Sequence, residues 1–326
     1  MKAIVQDRYG PSDVLRFDEL DPPVAADGEL LVRVHAASVN ARDWHVMRGD
    51  PYLARMAFGL RAPRVRVRGT DFAGRVEAVG AGVTRFRAGD EVFGEIDAAF
   101  AEYVRVPADG VVERKPANLT FEQAAAMPLA ANTALMGLRD AARVGSGQRV
   151  LINGASGGVG TFAVQLAKAF GAHVTGVCST RNLELIRSLG ADRVVDYTRE
   201  DFTRDGATRY DVVFDLVGNR SLADCRRVLT PTGTLVLSGG GVSEGGSLLG
   251  PIRLIARGRL ASRFVRHRVL TLTAVPSREN LATLRELAES GAVVPVIDRT
   301  FPLSDAAEAV RYLEMDHARA KVVITV

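Results

Sequence analysis

The segment of the sequence best suited to chemistry is the glycine-rich stretch GASGGVG at residues 154–160. It follows the apolar run RVLIN and precedes a stretch whose apolar residues have helical spacing. A strand-to-helix turn of small residues exposes backbone N–H groups at the start of the helix and lets a phosphate approach closely. The segment therefore predicts a dinucleotide-binding turn centred on Gly157, Gly158 and Gly160. A glycine-rich turn without a ligand is the alternative.

The end of the next apolar run distinguishes between the two nicotinamide dinucleotides. In NAD-binding proteins a carboxylate about 20 residues after the turn binds the ribose 2′-hydroxyl. Here the run ends in Ser179, Thr180 and Arg181 instead. Hydroxyls beside a guanidinium suit a 2′-phosphate, so the sequence favours NADP(H). Alternatively, Ser179 caps the next helix and Arg181 is a solvated side chain.

Alternating strand and helix patterns position these residues. Apolar runs suited to strands are separated by helical patterns, one of which ends at Gly171 and another at Gly190; the runs are RVLIN, AHVTGVCS, RVVDY, YDVVFDLVG and GTLVLSGG. This alternation predicts an α/β domain with a doubly wound parallel sheet.

The residues before and after this region have a different pattern. About the first 115 residues contain short β-rich runs punctuated by Gly, Pro and Asp, which predict an irregular β domain. Thr120 is a candidate N-cap for an alanine-rich helix. Helices are predicted near 279–290 and 304–314, and the final run KVVITV is expected to return to the N-terminal β domain. The predicted boundaries are 1–118 plus 276–326 for one domain and 119–275 for the other.

The composition predicts a cytoplasmic protein without a membrane span. The chain has 326 residues, enough for two domains, and its formal net charge of +4 is small for that length. Two cysteines, Cys178 and Cys225, cannot form a disulfide framework, which favours a reducing compartment. The sequence shows no secretory signal pattern and no apolar run long enough to span a bilayer.

Four segments carry a resemblance to a known family: SVNARDW (38–44), GTDFAGRVEAVGAGVTRFRAGDEVFG (69–94), LINGASGGVG (151–160) and HARAKVVITV (317–326). They resemble the zinc-lacking, quinone oxidoreductase-like branch of the medium-chain dehydrogenases/reductases. The resemblance implies a Rossmann doubly wound parallel sheet inserted into a GroES-like β domain. We also expect a homodimer.

The resemblance also implies that no metal takes part. Zinc-dependent relatives have cysteine or histidine ligands where this chain has Asn40 and Thr70, and a further cysteine close to Leu129. These side chains cannot assemble a tight Zn²⁺ site, so alcohol oxidation of the zinc type is not expected.

Further cofactor contacts are implied by the same resemblance. Ser156, Gly158 and Val159 are expected at the pyrophosphate, Ser179 and Arg181 at the 2′-phosphate. Tyr197 is expected near the adenosine and Thr133 near the nicotinamide. Val217, Gly218, Gly239 and Gly240 are expected at the carboxyl ends of strands, where the cofactor lies, and Lys321 within reach of the cofactor or the substrate. For Lys321 the alternative is a solvated charge in a turn.

Without a metal, hydride from NADPH is expected to pass to a quinone or an α,β-unsaturated carbonyl, and the resulting enolate or phenolate needs a hydrogen-bond donor and a proton. Asn40 and Asp43, in the loop after a β-domain strand, are candidates to donate a hydrogen bond and to orient neighbours. Tyr52 is a candidate proton donor or else a surface aromatic. Trp44 is either a flat wall for the substrate or part of the core.

Two other functions remain open from the sequence. One is an enoyl or tailoring reductase of a biosynthetic pathway. The other is a non-enzymatic, NADPH-responsive protein that binds RNA or another partner. Segments 55–68 and 253–268 are both rich in arginine, and the second could touch RNA or membrane lipid, although a cap beside the cleft or a helix at a dimer interface is the preferred interpretation of it. The small net charge argues against a nucleic-acid partner.

Overall fold

The computed structural model describes residues 1–204, 208–238, 266–315 and 318–326. The described residues form two compact units. The first comprises Met1–Asn132 with Pro276–Val326, and the second the described part of residues 133–275.

Fifteen strands lie in the described residues: β1 Lys2–Val5, β2 Arg16–Glu19, β3 Glu29–Val39, β4 Asp71–Val79, β5 Glu91–Glu95, β6 Tyr103–Pro107, β7 Val112–Arg114, β8 Arg149–Asn153, β9 His173–Cys178, β10 Arg193–Asp196, β11 Tyr210–Asp215, β12 Leu229–Leu237, β13 Arg268–Thr271, β14 Ile297–Pro302 and β15 Lys321–Thr325.

The helices of the same residues are α1 Ala41–Arg48, α2 Arg55–Phe58, α3 Phe121–Ala125, α4 Pro128–Leu135, α5 Gly158–Ala169, α6 Leu183–Ser188, α7 Leu222–Arg227, α8 Arg278–Glu289 and α9 Ala306–Met315. A π-helical stretch, Met136–Ala142, continues α4. Short 3-10 turns occur at Ser12–Val14, Tyr52–Ala54, Thr180–Asn182 and Leu303–Asp305.

The first unit is built on a seven-stranded sheet in the order β14-β15-β3-β4-β5-β7, with β6 also paired to β3. Along the first part of β3 the buried positions alternate, because successive side chains point to opposite faces. Leu30, Val32 and Val34 belong to one hydrophobic core cluster. The last strand, β15, pairs antiparallel with β3 and places Val322 opposite Val39. This confirms the predicted return of the C-terminal strand to the N-terminal β domain.

A short helix in the first unit corrects one expectation. The sequence predicts a loop at Asn40 and Asp43, but Asn40 is the N-cap of α1 and Asp43 lies in its first turn. The backbone N–H of Asn40 donates to Asp43 Oδ2 (2.8 Å), half of a capping box, and Gly49 ends the helix with a φ of 59°. At eight residues, α1 is too short for its spacing to stand out among β-rich runs.

The second unit contains a six-stranded sheet in the order β10-β9-β8-β11-β12-β13, and every pair in it is parallel. This confirms the doubly wound parallel sheet. The sixth strand, β13, was not predicted. It has only four residues and its position beside β12 depends on tertiary pairing.

The strand order reverses between β8 and β11. From β8 the chain proceeds to β9 and β10 on one side of the sheet, then returns to β11 on the other. Helix α5 follows β8 and buries Phe162, Ala163 and Leu166, and Gly171 follows the helix with a φ of 78°, as predicted. In doubly wound sheets, ligands bind at the carboxyl ends of the strands at such a reversal.

Candidate cofactor site and buried polar cluster

The glycine-rich turn lies at this reversal and is tied to the neighbouring strand. The N–H groups of Gly154 and Ala155 both donate to the carbonyl of Val177, at 3.2 and 3.0 Å. A Cβ on Gly160 would lie 2.1 Å from the carbonyl oxygen of Gly154, so the turn and the helix pack too closely for any side chain there. At Gly157 the nearest atom to such a Cβ, the carbonyl oxygen of Gly154, is 3.5 Å away, which is an ordinary van der Waals contact.

The start of α5 has the donors that a phosphate needs. Its N-cap, Gly157, has no side chain to satisfy the first N–H groups of the helix. Ser156, Gly157, Gly158 and Val159 are partly exposed. These N–H groups and the positive end of the helix dipole fit a pyrophosphate, as the sequence predicts.

After β9, one residue that the sequence did not single out, Asn182, forms hydrogen bonds with both predicted serines, Ser156 and Ser179. Asn182 is 3% exposed, and its Nδ2 donates to Ser156 Oγ (3.0 Å) and to Ser179 Oγ (3.2 Å). Arg181 is exposed on the same 3-10 turn. From sequence, an asparagine just after a strand indicates only a helix cap, so Asn182 carried no functional signal.

A carboxylate lies at the end of the next strand. Asp196 accepts hydrogen bonds from the hydroxyls of Thr180 (2.5 Å) and Thr198 (2.7 Å), which hold the pKa of Asp196 below its usual value. The N–H of Tyr197 donates to the carbonyl of Cys178 (3.1 Å), and its side chain is 42% exposed. Tyr197 therefore lies at the carboxyl edge of the sheet, beside the end of β9.

The loop after β11 reaches the glycine-rich turn. Asp215 Oδ1 accepts hydrogen bonds from the N–H groups of Val217 (3.1 Å) and Gly218 (2.9 Å) and from Asn153 Nδ2 (2.8 Å). A Cβ on Gly154 would lie 2.6 Å from a methyl carbon of Val217. Val217 and Gly218 thus lie at the strand ends where the sequence placed them. Gly239 and Gly240 lie outside the described residues.

The first unit contains a buried polar cluster around Lys321. Lys321 Nζ donates to Asn40 Oδ1 (2.5 Å) and to the carbonyl of Val39 (3.2 Å), and lies 3.8 Å from Asp71 Oδ2. Asn40 Nδ2 donates to Asp71 Oδ2 (2.9 Å) and to the carbonyl of Ser38 (3.3 Å). The side chain of Lys321 is 2% exposed. The solvated turn charge considered for Lys321 is therefore wrong, because β15 pairs with β3 and carries this residue into the interior.

Asp43 extends the cluster. Its Oδ1 accepts a hydrogen bond from the Thr70 hydroxyl (2.8 Å), and Arg42 donates to Thr70 (2.8 Å) and Asp97 (2.9 Å). Burial raises the pKa of Asp43, whereas the Thr70 hydrogen bond acts against the rise. The structure thus brings Asn40, Asp43 and Lys321 into one network.

Glu95 adds a further carboxyl group to this cluster. It lies directly opposite Asp71 in the pairing of β4 with β5. Burial and the neighbouring Asp71 raise the pKa of Glu95 to about 8, although the Arg42 guanidinium acts against the rise. Glu95 is therefore mostly protonated at neutral pH, which relieves the repulsion between directly opposed carboxylates.

Three other candidates lie elsewhere. Tyr52 is 45% exposed, and the guanidinium of Arg55 lies 4.6 Å from the centre of its ring. Thr133 is buried in α4. Trp44 is fully buried in the hydrophobic core of the first unit, so of its two interpretations the structure supports core packing.

Groups of three or more histidine, cysteine, aspartate or glutamate residues arranged to hold a metal ion are absent from the part of the chain that the structure describes. Of the helices in those residues, none combines the length and apolar character that crossing a membrane requires.

Comparison with known proteins places the chain in a family. Residues 26–116 match the model of the alcohol dehydrogenase GroES-like domain, and residues 189–324 match that of zinc-binding dehydrogenases. The mitochondrial NAD(P)H oxidoreductase RTN4IP1 of Mus musculus is 35% identical over 362 residues, covering 100% of this chain and 89% of that protein. The chloroplastic NADPH-dependent alkenal/one oxidoreductase of Arabidopsis thaliana is 34% identical over 339 residues, covering 99% and 79%.

A solved structure agrees with these relatives. The quinone oxidoreductase from Coxiella burnetii superposes with a TM-score of 0.85 at 32% identity, covering 100% of this chain and 99% of that one. The expected combination of a GroES-like domain and a doubly wound sheet is confirmed. The chain belongs to the quinone oxidoreductase-like family of medium-chain dehydrogenases/reductases.

Proposed function

We propose that this protein is an NADPH-dependent oxidoreductase that transfers a hydride to a quinone or to the conjugated C=C bond of an α,β-unsaturated carbonyl. The observation that carries the proposal is the uncapped, glycine-lined start of α5 at the reversal of the parallel sheet. The similarity over 99% of the chain to an NADPH-dependent alkenal/one oxidoreductase supports the substrate class.

The residues at the reversal fit NADPH. The N–H groups of Gly158 and Val159 would hold the pyrophosphate, and Ser179 and Arg181 the 2′-phosphate. Tyr197 and Val217 would flank the bound cofactor at the strand ends. Bound NADPH supplies the hydride.

The buried cluster would position the segment around Asn40 rather than donate to the substrate. Both hydrogens of Asn40 Nδ2 are engaged, by Asp71 and the Ser38 carbonyl, and both carboxylate oxygens of Asp43 accept hydrogen bonds. Tyr52 as proton donor and Thr133 beside the nicotinamide stay predictions, which the Tyr52→Phe and Thr133→Val variants test.

The proposed reaction does not use zinc. The resemblance to zinc-dependent relatives implies that Asn40 and Thr70 stand where those proteins have cysteine and histidine ligands. The Asn40 amide and the Thr70 hydroxyl both make hydrogen bonds within the cluster. Neither side chain is a strong Zn²⁺ ligand.

Loss of NADPH absorbance against a panel of quinones, enones, enals and simple alcohols, with and without a chelator, tests this function. We expect activity with the first three classes, unchanged by the chelator and weaker with NADH. Activity only with alcohols, abolished by the chelator, would refute the proposal.

We further propose a cytoplasmic homodimer without a nucleic-acid partner. Light scattering coupled to size-exclusion chromatography tests the dimer, and salt-dependent retention on immobilised RNA would contradict the absence of a nucleic-acid partner. Fractionation of the source cells tests the location.

A further inference from the structure

Asn182 joins the ends of two neighbouring strands through two serine hydroxyls. Ser156 belongs to the turn after β8, and Ser179 directly follows β9. The Nδ2 group of Asn182 donates to both Oγ atoms, at 3.0 and 3.2 Å. The N–H of Asn182 also donates to the carbonyl of Ser179 (2.9 Å), so the amide is anchored to the same turn.

These hydrogen bonds fix the direction in which the serines donate. A hydroxyl has one hydrogen, and an oxygen that accepts from Asn182 keeps that hydrogen for another acceptor. Both serines are partly exposed, whereas Asn182 lies beneath them. The hydrogens of both hydroxyls are therefore available on the exposed side. A phosphate dianion has only acceptor oxygens, so it is the group that two such donors match.

The oxygen of the Asn182 amide does not contribute to the stability of the fold. Asn182 Oδ1 is buried and has no hydrogen-bond partner among the described residues. A buried acceptor without a partner costs free energy that an apolar side chain of similar size would avoid. The Nδ2 group is the part of the amide that makes hydrogen bonds, and both of them go to the serine hydroxyls.

We propose that Asn182 is a positioning residue that turns the hydroxyl hydrogens of Ser156 and Ser179 toward the 2′-phosphate of NADPH, which assigns the Ser156 hydroxyl to this phosphate and not to the pyrophosphate expected from the sequence. The pyrophosphate is held at the start of α5, whereas the ribose is recognised at the end of the second strand, β9, where Asn182 lies. Asn182 therefore contributes to the preference for NADPH over NADH, together with Ser179 and Arg181. This inference rests on the proposed cofactor.

Calorimetric titration with 2′,5′-ADP and with 5′-AMP tests the inference without any activity measurement. In Asn182→Asp, a carboxylate can only accept, so it turns both hydroxyl hydrogens inward and adds a negative charge. We expect the affinity for 2′,5′-ADP to fall at least about tenfold and that for 5′-AMP to change less than about threefold. Asn118→Asp, in the first unit, is the control and should change neither affinity.

A second set of variants tests whether Asn182 acts through the serines. It also keeps the inference testable if Asn182→Asp does not fold. Asn182→Ala alone should lower the affinity for 2′,5′-ADP by about threefold or more, but by less than about twofold when Ser156 and Ser179 are both alanine. Equal losses for both nucleotides, or no loss in any variant, would overturn the inference. If the wild-type protein does not prefer 2′,5′-ADP, the proposed cofactor itself is wrong, whereas a wild-type preference that every variant keeps overturns the role of Asn182 alone.

Discussion

Replacing Lys321 with methionine tests the buried cluster of the first unit. Methionine keeps most of the side-chain volume but removes the ammonium group. The change deletes the hydrogen bonds to Asn40 Oδ1 (2.5 Å) and the Val39 carbonyl (3.2 Å) and the cation 3.8 Å from Asp71. Asp71, which is fully buried, then lacks its cation.

Removing one partner of a buried ion pair typically costs about 3–5 kcal/mol. We expect the lower end of that range, because Asp71 keeps hydrogen bonds from Ser38, Asn40 and the Leu129 N–H. Burial already raises the pKa of Asp71 to about 6, even with Lys321 acting against the rise, so without the cation this carboxyl can take up a proton. The expected loss is about 3 kcal/mol at pH 8, or about 6–12 °C in Tm for a unit of this size.

The loss should also depend on pH. Without Lys321 the folded state binds a proton at Asp71 more tightly, so the destabilisation shrinks as the pH falls from 8 toward 5. Asp71→Asn in the Lys321→Met background should recover part of the lost stability, because it removes the uncompensated charge.

Urea unfolding followed by circular dichroism at pH 8 and pH 5 measures both effects. Lys2→Met, at an exposed lysine of the same unit, is the control and should cost less than about 0.5 kcal/mol. If Lys321→Met costs no more than that control, or its cost is the same at both pH values, the account of the cluster is wrong.

Three further predictions concern single residues. Gly160→Ala places a Cβ 2.1 Å from a carbonyl oxygen and should weaken NADP⁺ binding at least about tenfold in a calorimetric titration, whereas Gly145→Ala, with open space around it, should not. Arg181→Glu should shift the ratio of NADPH to NADH affinity toward NADH, and Arg187→Glu, at an exposed residue of α6, should leave it unchanged. If the ratio is the same in Arg181→Glu as in the wild-type protein, Arg181 does not contact the cofactor. The raised pKa of Glu95, about 8, means that the folded state keeps a proton that the unfolded chain loses near pH 4.3. As the pH rises from about 4.5 to 8, the free energy of unfolding of the wild-type protein should therefore fall, relative to that of Glu95→Gln, by up to about 1.4 kcal/mol per pH unit in urea titrations. If the free energies of unfolding of the two proteins depend on pH in the same way, this pKa is wrong.

The features that the sequence predicted correctly have local causes. The glycine-rich turn, the helix end at Gly171 and the N-cap at Thr120 each depend on residues within a few positions of one another. The alternation of apolar runs with helical patterns likewise predicts a parallel sheet, because strands buried on both faces are continuously apolar.

The features that the sequence did not reveal depend on pairing between distant segments. Lys321 is charged and closely follows Arg319, so its burial appears only once β15 lies beside β3, with Asn40 281 positions away along the chain. Asn182 acquires its role from Ser156, which lies 26 positions earlier on another strand end. The helix at Asn40 was missed for a local reason, since its short length resembles a loop between strands.

Deuterium transfer from stereospecifically labelled [4-²H]NADPH to an enone tests the central claim most directly. The account predicts that one of the two C4 labels appears at the β-carbon of the saturated ketone, with 1:1 stoichiometry to NADP⁺, and that a chelator changes nothing. Product without deuterium from either label, or oxidation of NADPH without any reduced ketone, would contradict it.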